Sequence, residues 1–203
     1  MKIVFVSAAA IALLAGSAHA ESRGLSNFAS VSASGGAHVE LAVGPAFSVD
    51  VEGRDAAQII TRVQSGRLIV QPVRGWRWGG RRDALVRVTM PSVEALDASS
   101  GAELDASGVN ADALALDASS GAELTVTGAC RAFTADASSG ARIDARQLQC
   151  GAGSVDASSG ANAFVHVSGI LNVDASSGAN VSVAGSPEIG DISLSSGGSL
   201  HRR

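Results

Sequence analysis

The chain has 203 residues, a formal net charge of -4, 24 glycines, no tyrosine and only 3% aromatic residues. That length suffices for one domain with a real core, and a mildly acidic chain is a poor match for nucleic acid. Abundant Ala, Gly, Ser and Val with few aromatic side chains argue against a helical bundle or a deep-cleft enzyme, and favour close, regular stacking of backbone on backbone.

Residues 1–20, MKIVFVSAAAIALLAGSAHA, carry one Lys, an apolar run and then Ala18-His19-Ala20 before Glu21. This is the pattern of a secretory signal peptide with a small-residue cleavage site. The apolar run is short for a bilayer span, which needs about 20 such residues, and no later stretch is apolar enough. No Cys follows the cleavage point, so a lipoprotein anchor is not expected. The mature domain is therefore expected to be residues 21–203, exported to the periplasm or cell surface. Lys2 is the only lysine, so the basic residues of the mature chain other than His are all Arg.

Residues 25–95 contain six short runs that alternate apolar and polar, FASVSAS, HVELAV, FSVDVEG, IITRV, LIVQPV and ALVRVTM, separated by turn residues. Period-two alternation marks strands with one buried face. GRDAAQ, residues 53–58, has room for one helical turn. These runs read as the irregular opening coils of a larger regular structure. Between the last two lies VRGWRWGGRRD, residues 73–83, which holds both tryptophans, Trp76 and Trp78, with Arg74, Arg77, Arg81 and Arg82. Trp and Arg together can stack on sugars and grip anionic groups, so these six residues form the candidate ligand-binding surface, for a glycan or another envelope component. The alternative is that a Trp caps the open end of the core and the arginines keep the loop soluble.

From residue 96 to 200 one phrase, Asp-Ala-Ser-Ser-Gly, returns. Its Asp97, Asp117, Asp136, Asp156 and Asp174 are spaced 20, 19, 20 and 18 residues apart. A decayed copy, SLSSGGSL, starts at Ser193, and an earlier cousin, SASGGAHVEL, starts at Ser32. Self-similarity at this period means a solenoid. After each repeat Gly the first, third and fifth residues are apolar, as in Ala122/Leu124/Val126 and Ala141/Ile143/Ala145. No window carries the i, i+3, i+4, i+7 pattern of a helix. The expected fold is all-β, a parallel β-helix with coils of about 20 residues and a narrow, Ala-rich core.

In such a stack the five Asp point outward as a ladder, about 4.8 Å apart. Neighbouring carboxylates at that distance repel by roughly 1 kcal/mol in water and about 3 kcal/mol at an effective dielectric near 20. Each Asp is expected to accept hydrogen bonds from its own Ser-Ser-Gly amides, as in an Asx turn; a calcium site is the less favoured reading. Cys130 and Cys150 each stand six residues before a repeat Asp. They therefore occupy one position on successive coils, within disulfide reach, and export permits their oxidation.

A signature of catalysis is not evident. No His-x-x-x-His, Cys-x-x-Cys, G-x-S-x-G or phosphate loop occurs, and His38, His166 and His201 lie far apart in sequence. No cofactor is implied.

The order of these motifs resembles an exported bacterial family, the auto-transporter adhesins with a head GIN domain. The resemblance rests on FASVSASGGAHVEL at Phe28, Val31, Gly35, Val39 and Leu41, on SGRLIVQ, on the Ser-Ser-Gly turns, and on VSVAGSPEI at Val181, Val183, Gly185 and Pro187. It implies a right-handed parallel β-helix at the surface or in the periplasm. This sequence departs from the family by using Ser-Ser-Gly with a preceding Asp where Gly-Ser-Gly is commoner. The expectation is a non-enzymatic envelope protein that adheres or binds a ligand, with no nucleic-acid partner and no membrane span after cleavage. A structural envelope scaffold and a carbohydrate-acting enzyme using surface carboxylates remain as alternatives.

Overall fold

The computed structural model describes residues 20–75 and 83–202. The leader up to residue 19 and the loop residues Trp76, Arg77, Trp78, Arg81 and Arg82 lie outside the described residues.

The described chain is built almost wholly of strands. They are β1 (Glu21–Ser22), β2 (Ser30–Ala33), β3 (His38–Val43), β4 (Ser48–Glu52), β5 (Ile59–Gln64), β6 (Arg67–Pro72), β7 (Leu85–Met90), β8 (Ala95–Ala98), β9 (Glu103–Ala118), β10 (Glu123–Ala137), β11 (Arg142–Ala157), β12 (Asn162–Val167), β13 (Ile170–Ala175), β14 (Asn180–Ala184), β15 (Glu188–Leu194) and β16 (Ser199–Arg202). GRDAAQ does contain one short helical turn, a 3-10 turn at Ala56–Gln58.

From β8 onward the strands stack in parallel as a β-solenoid, and the repeat sets the register. Asp97 pairs with Asp117, Asp117 with Asp136, Asp136 with Asp156, and Asp156 with Asp174. Ser193 continues the column beyond Asp174, and Ser32 begins it before Asp97. Both outlying copies of the phrase are thus true coils.

Each Ser-Ser-Gly corner is a two-residue turn. Ser100 has φ 52° and Gly101 φ 71°, and the amide of Ala102 donates to the carbonyl of Ser99 at 3.1 Å. Positive φ at both central residues is the type I′ geometry. Glycine adopts it readily, but a serine in the left-handed region costs about 1 kcal/mol, and the chain accepts this at Ser120, Ser139, Ser159, Ser177 and Ser196 as well. Contacts between coils offset the cost. The amide of each turn Gly donates to the Ser carbonyl of the next coil, as from Gly121 to Ser139 and from Gly140 to Ser159.

Those bonds correct the expected Asx turns. The amide two residues after each Asp, which an Asx turn would use, donates instead to an Ala carbonyl of the preceding coil: Ser119 to Ala98, Ser138 to Ala118, Ser158 to Ala137. In a stacked solenoid the neighbouring backbone supplies a better-aligned acceptor than the local side chain. The turn is held by backbone, and the carboxylates stand outside it.

Inward positions are filled as the alternation predicts. Leu104, Leu124 and Ile143 are fully buried, one above another, and Ala102, Ala122, Ala141, Ala161 and Ala179 line the corner beside them. Small side chains at the corner let the two sides approach closely, so the core is narrow.

The opening region departs from the expected looser coils. β2 and β3 do stack in parallel on β8 and β9, and β6 and β7 stack on β2 and β3. Two strands run the other way, β5 antiparallel to β6 and β4 antiparallel to β7, while β1, antiparallel to β4, returns to the direction of the solenoid. The cause is local. Gln64 and Arg67 are joined only by Ser65-Gly66, both with positive φ, and a two-residue connection must reverse the chain. The reversed strands close the N-terminal end. At the other end the last described coil leaves inward positions open, with Ile192 50% and Leu194 45% exposed.

Candidate functional site

The Asp ladder stands on one side of the solenoid. Its first member, Asp97, lies 3.6 Å from the Arg67 guanidinium. Partial burial raises the Asp117 carboxyl above its ordinary range, and the charge on Asp97 adds to this, against an opposing pull from Arg67. Burial likewise raises Asp156, followed by repulsion from Asp136 and Asp174. A carboxyl raised in the folded state holds its proton more tightly there than in the unfolded chain. Its stabilising contribution is full below the unfolded value, near 3.9, and is lost as pH rises through the raised folded value. Asp117→Asn should therefore raise the melting temperature at pH 7 by about 1–3 °C, with the gain shrinking as pH falls toward 4. A lower melting temperature at pH 7, or a gain independent of pH, would show that the carboxylate is paired in a way the ladder geometry does not provide.

The adjacent side, carried by the first halves of β9, β10 and β11, has mixed charge. Arg142 and Arg146 both hold Asp144, and these hydrogen bonds keep its carboxyl below the ordinary range against the effect of burial. The same two guanidinium groups lie 4.2 and 5.3 Å from the centre of the Phe164 ring, within cation–π range. Arg142 also pairs with Glu123 at 3.4 Å. Nearer the N-terminal end, Arg87 pairs with Glu40 and Glu52. Between these two networks, β3 and β9 bring together His38, Glu103 and Asp105, with one ligand-type atom of each within 4.8 Å of the others.

That trio was not found from the sequence, although a signal for it exists. Aligning Gly36-Ala37-His38-Val39-Glu40 with Gly101-Ala102-Glu103-Leu104-Asp105 sets His38 beside Glu103 and Glu40 beside Asp105, which is the observed register. Sequence separation alone, 65 residues from His38 to Glu103, hides it.

A third surface is a shallow concavity of about 660 Å³ between Ser92–Glu94, Asn110–Ala115 and Ala132–Thr134. Its lining is mostly small and apolar, with Glu94 and Asp112 its two carboxylates. The ladder carboxylates lie outside it, so the groups with raised pKa do not converge in a cleft.

Of the other sequence-derived site residues, Arg74 is exposed in a turn after β6, while the rest of the Trp–Arg loop lies outside the described residues. Cys130 and Cys150 face each other across β10 and β11 and form a disulfide, with Cα atoms 4.6 Å apart.

Solved structures share this architecture. A putative adhesin from Bacteroides fragilis NCTC 9343 superposes with a TM-score of 0.72 at 11% identity, over 91% of this chain and 96% of that one. A putative adhesin from Parabacteroides distasonis ATCC 8503 gives 0.57 at 12% identity, and a putative lipid binding protein from the same organism gives 0.53 at 15%, each over 91% of this chain and 96% of the other. At such identities the likeness is one of fold. No curated protein sequence matches the chain. The family model described as putative auto-transporter adhesin, head GIN domain, matches residues 27–187, from the second strand's approach to the last regular coil, and the protein belongs to that family.

Proposed function

We propose that this is an exported, non-enzymatic protein of the cell envelope that adheres to an extended envelope ligand, a glycan or another envelope component. The observation that carries the reading is the surface. Side chains repeat in registered columns along successive coils, as in Asp97 to Asp174, and a repeating surface suits a repeating ligand. Family membership supports adhesion. The N-terminal leader supports export, and among the described residues no helix is long and apolar enough to cross a membrane. The enzyme alternative finds no support in the carboxylates with raised pKa, because these do not line the concavity between Ser92–Glu94, Asn110–Ala115 and Ala132–Thr134.

The strongest grip on such a ligand is assigned to the Trp76–Arg82 loop with Arg74. These residues combine stacking faces with guanidinium donors. In a binding screen of the mature protein against acidic glycans and envelope extract, wild type should bind. Trp76→Ala with Trp78→Ala should abolish binding and leave the melting temperature within about 1 °C. Loss of the fold in that double variant would instead make a tryptophan part of the core closure.

The open C-terminal coil favours a second reading, a scaffold. Ile192 and Leu194 continue the inward columns of Val173 and Ala175, and they are half exposed where every earlier coil is covered. A two-fold axis would let this edge pair with the same edge of a second copy. If wild type binds no envelope component but its mass rises with concentration in sedimentation, assembly is the function.

A further inference from the structure

We propose that His38, Glu103 and Asp105 bind a divalent transition-metal ion of the zinc class, in a site with an open coordination position. The inference is independent of the adhesion reading and rests on geometry, donor chemistry and charge.

The geometry is set by backbone. His38 of β3 and Glu103 of β9 are register partners in a parallel pair, and Asp105 lies two residues on, on the same face. The amide of Glu103 donates to the carbonyl of Ala37 at 2.9 Å, which locks the two strands at this point. His38 Nε2 lies 3.6 Å from an Asp105 carboxylate oxygen. One donor atom from each of the three side chains lies within 4.8 Å of the others. Around zinc, with ligand bonds of about 2.0–2.2 Å, donors sit roughly 3.3 Å apart, so small rotations of exposed side chains complete the arrangement.

Arginine reaches the acids on both flanks but not the acids here. Arg87 is taken by Glu40 and Glu52, and Arg142 by Glu123 and Asp144. Among the described residues no arginine pairs with Glu103 or Asp105. Both carboxylates also stand beside another acid in the register, Glu103 beside Glu123 and Asp105 beside Glu40. A dication is the counter-charge the face lacks. The imidazole selects its kind. One nitrogen and two carboxylate donors suit zinc and its neighbours, whereas calcium and magnesium take oxygen ligands. Three protein ligands on an exposed strand face leave the fourth position to water or to a donor from a partner, the pattern of an exchangeable rather than a closed site. Bound metal would also tie β3, in the closed N-terminal end, to the first long strand of the repeats.

The test uses tag-free mature protein. Its cysteines are joined in a disulfide and do not compete for metal. Calorimetric titration with zinc chloride should give one saturable site and a melting temperature higher by a few degrees. Calcium and magnesium chloride should produce neither. His38→Ala, Glu103→Gln and Asp105→Asn should each weaken zinc binding by about tenfold or more, while His166→Ala and His201→Ala leave it unchanged. Three separate variants keep the test valid should one of them fold poorly, and circular dichroism checks each. The proposal is overturned by an absence of saturable zinc binding at millimolar concentration. It is equally overturned by calcium binding as well as zinc, or by binding that survives loss of His38 and disappears with His166 or His201.

Discussion

Leu124→Asp should leave the mature protein without a cooperative unfolding transition at 25 °C. Leu124 is fully buried and stacked between Leu104 of the preceding coil and Ile143 of the next. Its replacement loses about 2–3 kcal/mol of apolar burial and places a carboxylate among Leu, Ile and Ala with no cation in reach. The charge costs several kcal/mol more unless it protonates, which itself costs free energy at pH 7. A domain of this kind holds about 5–15 kcal/mol in total. In a solenoid each coil is supported only by its neighbours, so a defect in a central coil cannot be absorbed elsewhere. Circular dichroism melts and urea titration would measure it, with Leu124→Ala as the graded control at about 2–5 kcal/mol. A melting temperature within a few degrees of wild type for Leu124→Asp would mean that this position is not the core the register makes it.

The same register explains why so much of the fold was legible. An Asp that returns every 18 to 20 residues fixes which residue stacks on which, and the alternation after each Gly fixes which face is inside. Once those are set, the burial of Leu104, the pairing of Cys130 with Cys150 and the status of Ser32 and Ser193 as coil positions all follow. Apart from the copy at Ser32, the opening region carried no such repeat. There, alternation identified strands but not their partners, and period-two patterns are identical for parallel and antiparallel pairs. The reversal at Ser65-Gly66 was visible as a turn signal, but its consequence, a hairpin across the solenoid end, depends on packing that no local pattern encodes. The Asp side chains failed for a related reason. Sequence shows a carboxylate next to amides, while the competing acceptor, an Ala carbonyl of the preceding coil, exists only after stacking. His38 and Glu103 meet through the same stacking, so a site assembled across coils is hidden unless the decayed copies of the repeat are aligned as carefully as the intact ones.

Removing the disulfide should cost about 3 kcal/mol, the chain-entropy value for a loop of roughly 20 residues, and lower the melting temperature by about 6–12 °C. The effect is expected to exceed that of any surface ion pair here because the bridge also guards a register. Between Thr125 and Thr127 the pairing of β10 with β11 shifts, so that Ala145 and Arg146 lie opposite the single residue Val126. A one-residue slip beyond such a bulge would turn every inward side chain outward. Cys130 and Cys150 pair four residues downstream of that shift on β10, in the restored register. Covalent closure at this point excludes slipped pairings from the unfolded ensemble as well as shortening it. Two measurements separate these contributions from simple loss of side-chain volume. Reduction of wild type by a dithiol breaks the bond without creating a cavity, and Cys130→Ala with Cys150→Ala breaks it with one. Both should fall by several degrees, the double variant further because both positions are buried. Thiol titration of the unreduced, unfolded mature protein should find no reactive sulfur. Two titrating thiols, or an unchanged melting temperature on reduction, would show that the coils hold their register without the bridge.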